Sequence, residues 1–403
     1  MSRRQQCDHA ELQYDTSPHA AGAGFKRPNA DRRLAATTKS GRNPLAVGGI
    51  GEKALGELTS KSAADIAASF PGPLVLPNDH LDIDPKDPPQ SFRSWLLESE
   101  RNKPTKERRT LYVASTPEIT APMRHMKTWS KPKLPKGKKA KTIAEPFDKI
   151  QPLLSKDVIE YLAAFYPGLT VKSFPERLRF VPWLEKQASN EKYVGIALSN
   201  NCTRIRARPS PDGIFAGQLN LEDILDAAIA MLPRDAYALV LLTDHDLYED
   251  EEDDFCCGRA YGGSRVCVVS SARYQPVLDE DADIDPEHMW PNSHCTTYIE
   301  QLCERGDAMT MCTEVSNSRI PTTSPMRAAI HAATGVGPIV GHLHGLWFSR
   351  LARTVAHELG HCLGMGHCNY YACMMQSTAS MAEDVRQPPY LCPVCLSKIT
   401  HAM

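Results

Sequence analysis

Between Ser349 and Cys362 the chain reads SRLARTVAHELGHC, and the two histidines four residues apart with a glutamate between them constrain it more than any other feature. Leu351, Val355, Leu359 and Cys362 recur at helical spacing, so this segment is expected to be a helix. On a helix, His357 and His361 stand about 40° apart around the axis and one turn along it, so both imidazoles can reach one zinc ion at about 2.0–2.1 Å. Glu358 sits one step around, poorly placed to ligate but well placed to take a proton from a zinc-activated water. The pattern continues as HELGHCLGMGH. Gly364 can take the positive φ that ends a helix sharply, which lets the chain reverse and return His367 as a third ligand. Three protein ligands leave the fourth position to water, the arrangement of a catalytic zinc rather than a structural one.

The cysteines extend the metal argument. Of 13 in the chain, 11 lie at or after Cys256. The first thirty residues, with Arg3, Arg4, Asp8, Glu11 and Asp15, contain no apolar run of the length a secretory signal needs, which points to a reducing, intracellular setting, cytoplasmic with a nuclear one open. There, metal ligation or plain burial is the better reading of a cysteine than a disulfide. Cys368 and Cys373, then Cys392 and Cys395 within CPVC, have the pair spacings of a closed tetrahedral zinc site with no water left for chemistry. That second zinc would be structural. Cys362 lies on the packing face of the helix and reads as core.

The rest of the chain reads as an α/β body with extensions. Residues 1–60 are rich in Ala, Gly, Ser and Arg without an apolar period and are expected to be a disordered arm. Residues 61–107 form a proline-rich extension, a strap ending near Trp95 and Leu96. Thr110–Ser115 and Leu169–Phe174 read as strands, Phe147–Phe165 and Leu219–Leu232 as amphipathic helices, and Ala236–Thr243 as a buried strand. This alternation implies a largely parallel sheet. Asp244–Asp254 looks too acidic to be packed, and Arg265–Tyr274 reads as a further strand. The uncharged stretch Ala328–Ser349, with four glycines, Pro338, His331, His342 and His344, reads as a loop rather than a membrane span. An inserted loop is expected over about 118–146. Its part from Arg124 to Lys141 carries eight Lys or Arg and no acid, open to a nuclear import or nucleic-acid role but more simply a solvated loop. The formal net charge of −2 argues against nucleic acid as a partner of the whole chain.

HELGHCLGMGHCNYYACMM followed by CPVC resembles the archaemetzincins, a family of metzincin-clan zinc metallopeptidases. LTDHDLY, RVCVVSSARY and FPGPLVLP extend the likeness over most of the chain after residue 60. The resemblance implies a metzincin-like zincin over residues 108–403. Its fold class is α/β (α+β), with a mixed, mostly parallel twisted sheet, an active-site helix and a small zinc-bound C-terminal subdomain, 368–403. It implies two zinc ions per chain, the first on His357, His361 and His367 with Glu358 as base, the second on Cys368, Cys373, Cys392 and Cys395. Met375 would form the Met-turn beneath the catalytic metal. Some metzincins place a tyrosine two residues past that Met, where this chain has Ser377, so His342, His344, Tyr370 and Tyr371 are only neighbouring candidates for stabilising an oxyanion. Arg265–Tyr274 is either an edge strand that pairs with an extended peptide or a central strand.

The expected function is hydrolysis of peptide bonds in a peptide or protein substrate, with an aminopeptidase-like mode open should the acidic run fold toward the cleft. The alternative is a catalytically weak, zinc-stabilised peptide- or partner-binding protein. Neither needs a membrane.

Overall fold

A computed structural model of the chain describes residues 7, 9–44, 66, 69–133, 150–183, 192–305, 324–334 and 340–403. They form two compact units: a sheet unit of Ser99–Leu278, Pro338–Gly364 and Ala402–Met403, and a second unit of Met1–Glu98, Asp279–Gly337 and Met365–His401. This division cuts across the single body expected over residues 108–403. Among the described residues, no helix is long and apolar enough to cross a membrane.

The sheet unit holds β1 (Thr110–Ala114), β2 (Glu118–Ile119), β3 (Thr170–Ser173), β4 (Arg179–Pro182), β5 (Tyr193–Leu198), β6 (Asn201–Arg208), β7 (Gln218–Asn220), β8 (Ala236–Thr243), β9 (Asp246–Tyr248), β10 (Gly258–Tyr261) and β11 (Val266–Ser270). One sheet has the order β10-β11-β8-β1-β3, parallel throughout except at β10. The run AYALVLLT makes β8 suited to burial on both faces, and all eight of its residues are buried. Leu241 stands opposite Ala114 on one neighbour and Val268 on the other. Leu239, Leu241, Val266 and Val268 share a core with helix Leu221–Met231, whose first turn is capped by Asn220 accepting from the Asp223 N–H. The second sheet, β2-β4-β5-β6-β7-β9, is built around three antiparallel pairs and lies outside the expected βαβ pattern.

Several expectations about this unit are corrected. The helix over Phe147–Phe165 begins only at Ser155, because Pro152 cannot sit in a helix interior; residues 147–149 lie outside the described residues. In the basic insertion, Ala121–Thr128 is helical and buries Met123 and Met126, while 134–146 lie outside the described residues. The acidic run is not wholly solvated: Asp246 is fully buried in β9, where Arg273 donates from Nε at 2.8 Å and Gln218 from Nε2 at 2.9 Å. β11 is an interior strand, and β10 is the edge.

The stretch Ala328–Ser349, expected as a loop, belongs largely to two helices, Pro325–Thr334 in the second unit and Val340–Cys362 in the sheet unit; 335–339 lie outside the described residues. A glycine costs a helix about 1 kcal/mol against alanine, and burying Trp347 on the same face as Leu351 and Val355 outweighs Gly341 and Gly345.

In the second unit, residues 9–44 of the expected arm carry helices His19–Ala23 and Ala30–Ala36. Ala20 and Phe25 pack with Val75 and Leu81, and Arg27 Nε donates to the Tyr370 carbonyl at 2.9 Å. Disorder is therefore corrected for 9–44, and 45–60 lie outside the described residues. The proline-rich strap buries Leu74, Val75 and Leu76, and Trp95 beyond it is fully buried.

Candidate active site and metal centres

Helix Val340–Cys362 is held in the sheet unit by hydrogen bonds along its length. Trp347 Nε1 donates to the Ser271 carbonyl at 2.9 Å, Tyr166 to the Ala356 carbonyl at 2.6 Å, and Tyr237 to the Cys362 carbonyl at 2.9 Å. At its C-terminal end His357 and His361 turn to the same side, their Nε2 atoms 3.0 Å apart. Two imidazole nitrogens this close, on a rigid element, suit a shared cation. Glu358 is buried beside them and accepts from the Ala260 N–H of edge strand β10. Burial pushes its carboxyl up to about 8, opposed by Arg259 and by that N–H; a nearby divalent ion would oppose it further. A Cβ on Gly262 would meet the His361 carbonyl at 2.5 Å, so the turn after β10 reaches the helix only because it is glycine. Gly364 has φ +77° and its N–H closes on the His361 carbonyl at 2.9 Å, ending the helix as expected.

His367 and the four cysteines belong to the second unit. The ring of His80 stands edge-on to His367, with centroids 6.0 Å apart. Sequence reading missed this neighbour, because nothing in a lone histidine 287 positions earlier marks it. Gln90 receives the Gly366 N–H at 2.9 Å, fixing the backbone just before His367.

Cys368, Cys373, Cys392 and Cys395 converge, all buried, with their sulfurs within 4.8 Å of one another. Cys368 and Cys392 are 3.5 Å apart, and the Cys392 N–H donates to the Cys373 sulfur. Hydrogen bonds from its three partners hold the Cys368 thiol well below its usual range, while burial pushes Cys373 and Cys392 well above theirs. Four buried sulfurs this close suit a soft or borderline cation such as zinc. Met375 is fully buried in a tight turn closed by the Gln376 N–H on the Cys373 carbonyl at 3.0 Å. The Met375 carbonyl in turn accepts from the Cys368 N–H at 2.8 Å.

Among the oxyanion candidates, Tyr370 donates to the Pro89 carbonyl, and Tyr371 lies beneath the guanidinium groups of Arg27 and Arg33. Both are packing residues. His344 is half-buried on the helix, and the side chain of His342 lies outside the described residues.

A helix bearing two convergent histidines around a buried glutamate, together with a closed four-cysteine cage, defines a zinc metallopeptidase class of site. The family model for peptidase family M54 matches residues 329–401. The chain is 24% identical over 369 residues to human archaemetzincin-2, covering 90% of this chain and 79% of that protein. It is 29% identical over 171 residues to mouse archaemetzincin-2, covering 42% of this chain and 38% of that one. Among solved structures, an archaemetzincin from Methanopyrus kandleri aligns at 16% identity and a TM-score of 0.35, covering 74% of this chain and 97% of the other. The chain is thus similar over most of its length to an archaemetzincin, and its residues 329–401 match peptidase family M54.

Proposed function

We propose that the chain is a zinc-dependent enzyme that hydrolyses peptide bonds, with His357, His361 and His367 as catalytic zinc ligands and Glu358 as general base. Bound zinc would supply Lewis acidity, polarising the scissile carbonyl and making water a better nucleophile at neutral pH. Glu358 takes the proton of that water and later hands it to the leaving amine, which converts a poor leaving group into a neutral one. The observation that carries this reading is the pairing of His357 and His361 at 3.0 Å with Glu358 buried alongside, since a purely structural site needs no such carboxylate. His367 joins them on the strength of its spacing beyond the Gly364 turn. Cys368, Cys373, Cys392 and Cys395 hold a second, structural zinc, and Met375 forms the Met-turn. His80, set edge-on to His367, helps orient that ring.

An aminopeptidase-like mode would need carboxylates of the acidic run to hold a substrate amine. In that run, Asp246 pairs with Arg273, and Asp253 accepts from the Glu249 and Asp250 N–H groups, so two of its carboxylates are already engaged.

Glu358→Gln tests the proposal. It leaves every ligand in place, so bound zinc should be unchanged while hydrolysis of a peptide library falls by roughly 10²–10⁴-fold. Undiminished turnover would remove Glu358 from the mechanism. No turnover even in the wild type, with retained zinc and retained peptide affinity, would favour the binding-protein alternative.

A further inference from the structure

Four metal-binding side chains outside both of these centres meet in the second unit. The N-terminal segment is pinned there by a short antiparallel pairing: Leu12 bridges Cys295, the Gln13 N–H donates to the His294 carbonyl at 2.8 Å, and the Thr296 N–H donates to the Glu11 carbonyl at 3.0 Å. Leu12, Cys295, Met326 and Ile330 form a small apolar core around this pairing, joined by Cys7, Trp290 and Tyr298. The pairing carries Cys7 and His9 to the side of Cys295 and His288.

Three of the four, Cys7, His9 and His288, bring donor atoms together, and Cys295 adjoins this group through His9. One donor atom each from Cys7, His9 and His288 lie within 4.8 Å of one another. His9 Nδ1 is 3.9 Å from the Cys7 sulfur and 3.1 Å from the Cys295 sulfur. Zinc–sulfur and zinc–nitrogen bonds of about 2.3 and 2.0–2.1 Å set tetrahedral edges of roughly 3.3–3.8 Å, so these separations bracket those of a metal cage. The four-cysteine cage, at 3.5 Å between Cys368 and Cys392, is similarly compact.

His288 supplies the independent observation. Its Nδ1 faces Asp285 Oδ2 at 3.0 Å, and its ring stacks flat on Tyr298 with centroids 4.0 Å apart. The side chain is buried, yet its Nε2 has no hydrogen-bond partner among the described residues. A buried ring nitrogen without a partner is costly. Carboxylate on one nitrogen and metal on the other is the usual arrangement of a zinc-bound histidine, where the carboxylate fixes tautomer and orientation. A hydrogen bond from His9 to Cys295 alone would explain neither this open nitrogen nor the approach of Cys7. His9 also sits at φ +55°, an uncommon conformation for a non-glycine residue, which a ligand bond would hold in place.

We propose that Cys7, His9, His288 and Cys295 bind a zinc ion in a closed, structural two-cysteine, two-histidine site that fastens the N-terminal segment to the second unit. This proposal does not depend on the peptidase reading. With all four positions filled by protein, the site has no place for a substrate or a reacting water.

Metal analysis of the full chain, purified with zinc and passed through mild chelator, tests it. His288→Ala and Cys7→Ser should each bind one zinc equivalent fewer than the wild type, whatever the wild-type total, with circular dichroism unchanged. Equal zinc content in wild type and both folded variants would overturn the site. Should the variants fail to fold, ¹¹³Cd-substituted wild type decides alone. The proposal requires a resonance of mixed sulfur and nitrogen ligation, downfield of any from a three-histidine site and upfield of any from a four-cysteine site. Absence of that resonance from a cadmium-loaded protein overturns it, irrespective of how fully the other two centres are occupied.

Discussion

In the sheet unit, β8 runs between two parallel neighbours with all eight residues buried, and helix Leu221–Met231 closes over it. The second unit is held differently. Among its described residues, apolar side chains gather in groups around Leu12, around Phe25 and Val75, and around Leu74 and Ile299, with Trp95, Met374, Val394 and Ile399 buried besides. Between these groups stand polar and sulfur contacts. Arg386 forms a buried ion pair with Asp79, buried Glu383 accepts from the His80 and Ala379 N–H groups, and four thiols converge. One unit is stabilised by continuous burial, which any well-packed apolar set can supply. The other adds to its burial directional groups that are costly when a partner is missing. Metal or partner loss should therefore strike the second unit, and cavities should strike the first.

The largest effect is expected from Cys392→Ser. Metal binding to a structural zinc site is worth about 10–16 kcal/mol in small zinc-finger peptides, so losing one thiolate from a closed cage removes much of what holds its surroundings. The variant should lose one zinc equivalent. Hydrogen exchange should quicken across Leu391–Ile399 while Ala236–Thr243 keeps its protection. Because Cys368 follows His367 directly, turnover should also fall, on the order of a hundredfold for a misplacement of about 1 Å. Full zinc content, or equal loosening of both segments, would break the contrast between the units.

Leu241→Ala makes the converse test. Leu241 is fully buried among Leu239, Val268 and the helix above, and deleting a core leucine costs about 2–5 kcal/mol. Denaturant unfolding followed by exchange at β8 should register that loss, with metal content unchanged. A variant that sheds the zinc of the four cysteines would mean that the sheet core and the second unit unfold together.

The same contrast explains what could be read from the sequence. Elements whose reason for forming is local were legible: β8 from its apolar run, helix Leu221–Met231 from its period, and the end of the active-site helix from Gly364. The histidine pair and the four cysteines were legible because metal chemistry imposes short, fixed spacings. What depends on distant partners was not. Residues 9–44 carry no pattern of their own; they are ordered by Val75, Leu81 and Tyr370. Asp246 looked solvated because the guanidinium of Arg273 that accompanies it into the core lies 27 positions away. Ala328–Ser349 looked like a loop because glycine and proline counts say nothing of the burial that Trp347 gains. Cys7 and His9 gave no signal because Cys295 and His288 stand on the far side of the chain.

The smallest effect tests the most marginal part of the second unit. Asn29 caps helix Ala30–Ala36, its side-chain oxygen accepting from the Arg32 N–H at 2.9 Å, and no other backbone N–H of that turn has a side-chain cap. Replacing an N-cap asparagine by alanine costs typically about 1 kcal/mol, less where solvent can take over the donor, and this cap is exposed. Asn29→Ala should therefore lower stability by about 0.5–1 kcal/mol and speed exchange over Arg33–Ala36, leaving metal content alone. Asn220 plays the same part in the sheet unit, but it is fully buried and also accepts from Arg206 and donates to the Glu249 carbonyl. Asn220→Ala strands those groups as well and should cost more, so the ratio of the two losses measures how far the units differ in burial at a shared device. Unchanged exchange over Arg33–Ala36 in Asn29→Ala would mean that this helix does not depend on its cap. Exchange there at the rate of free peptide in the wild type would mean that residues 9–44 do not hold the packed form described.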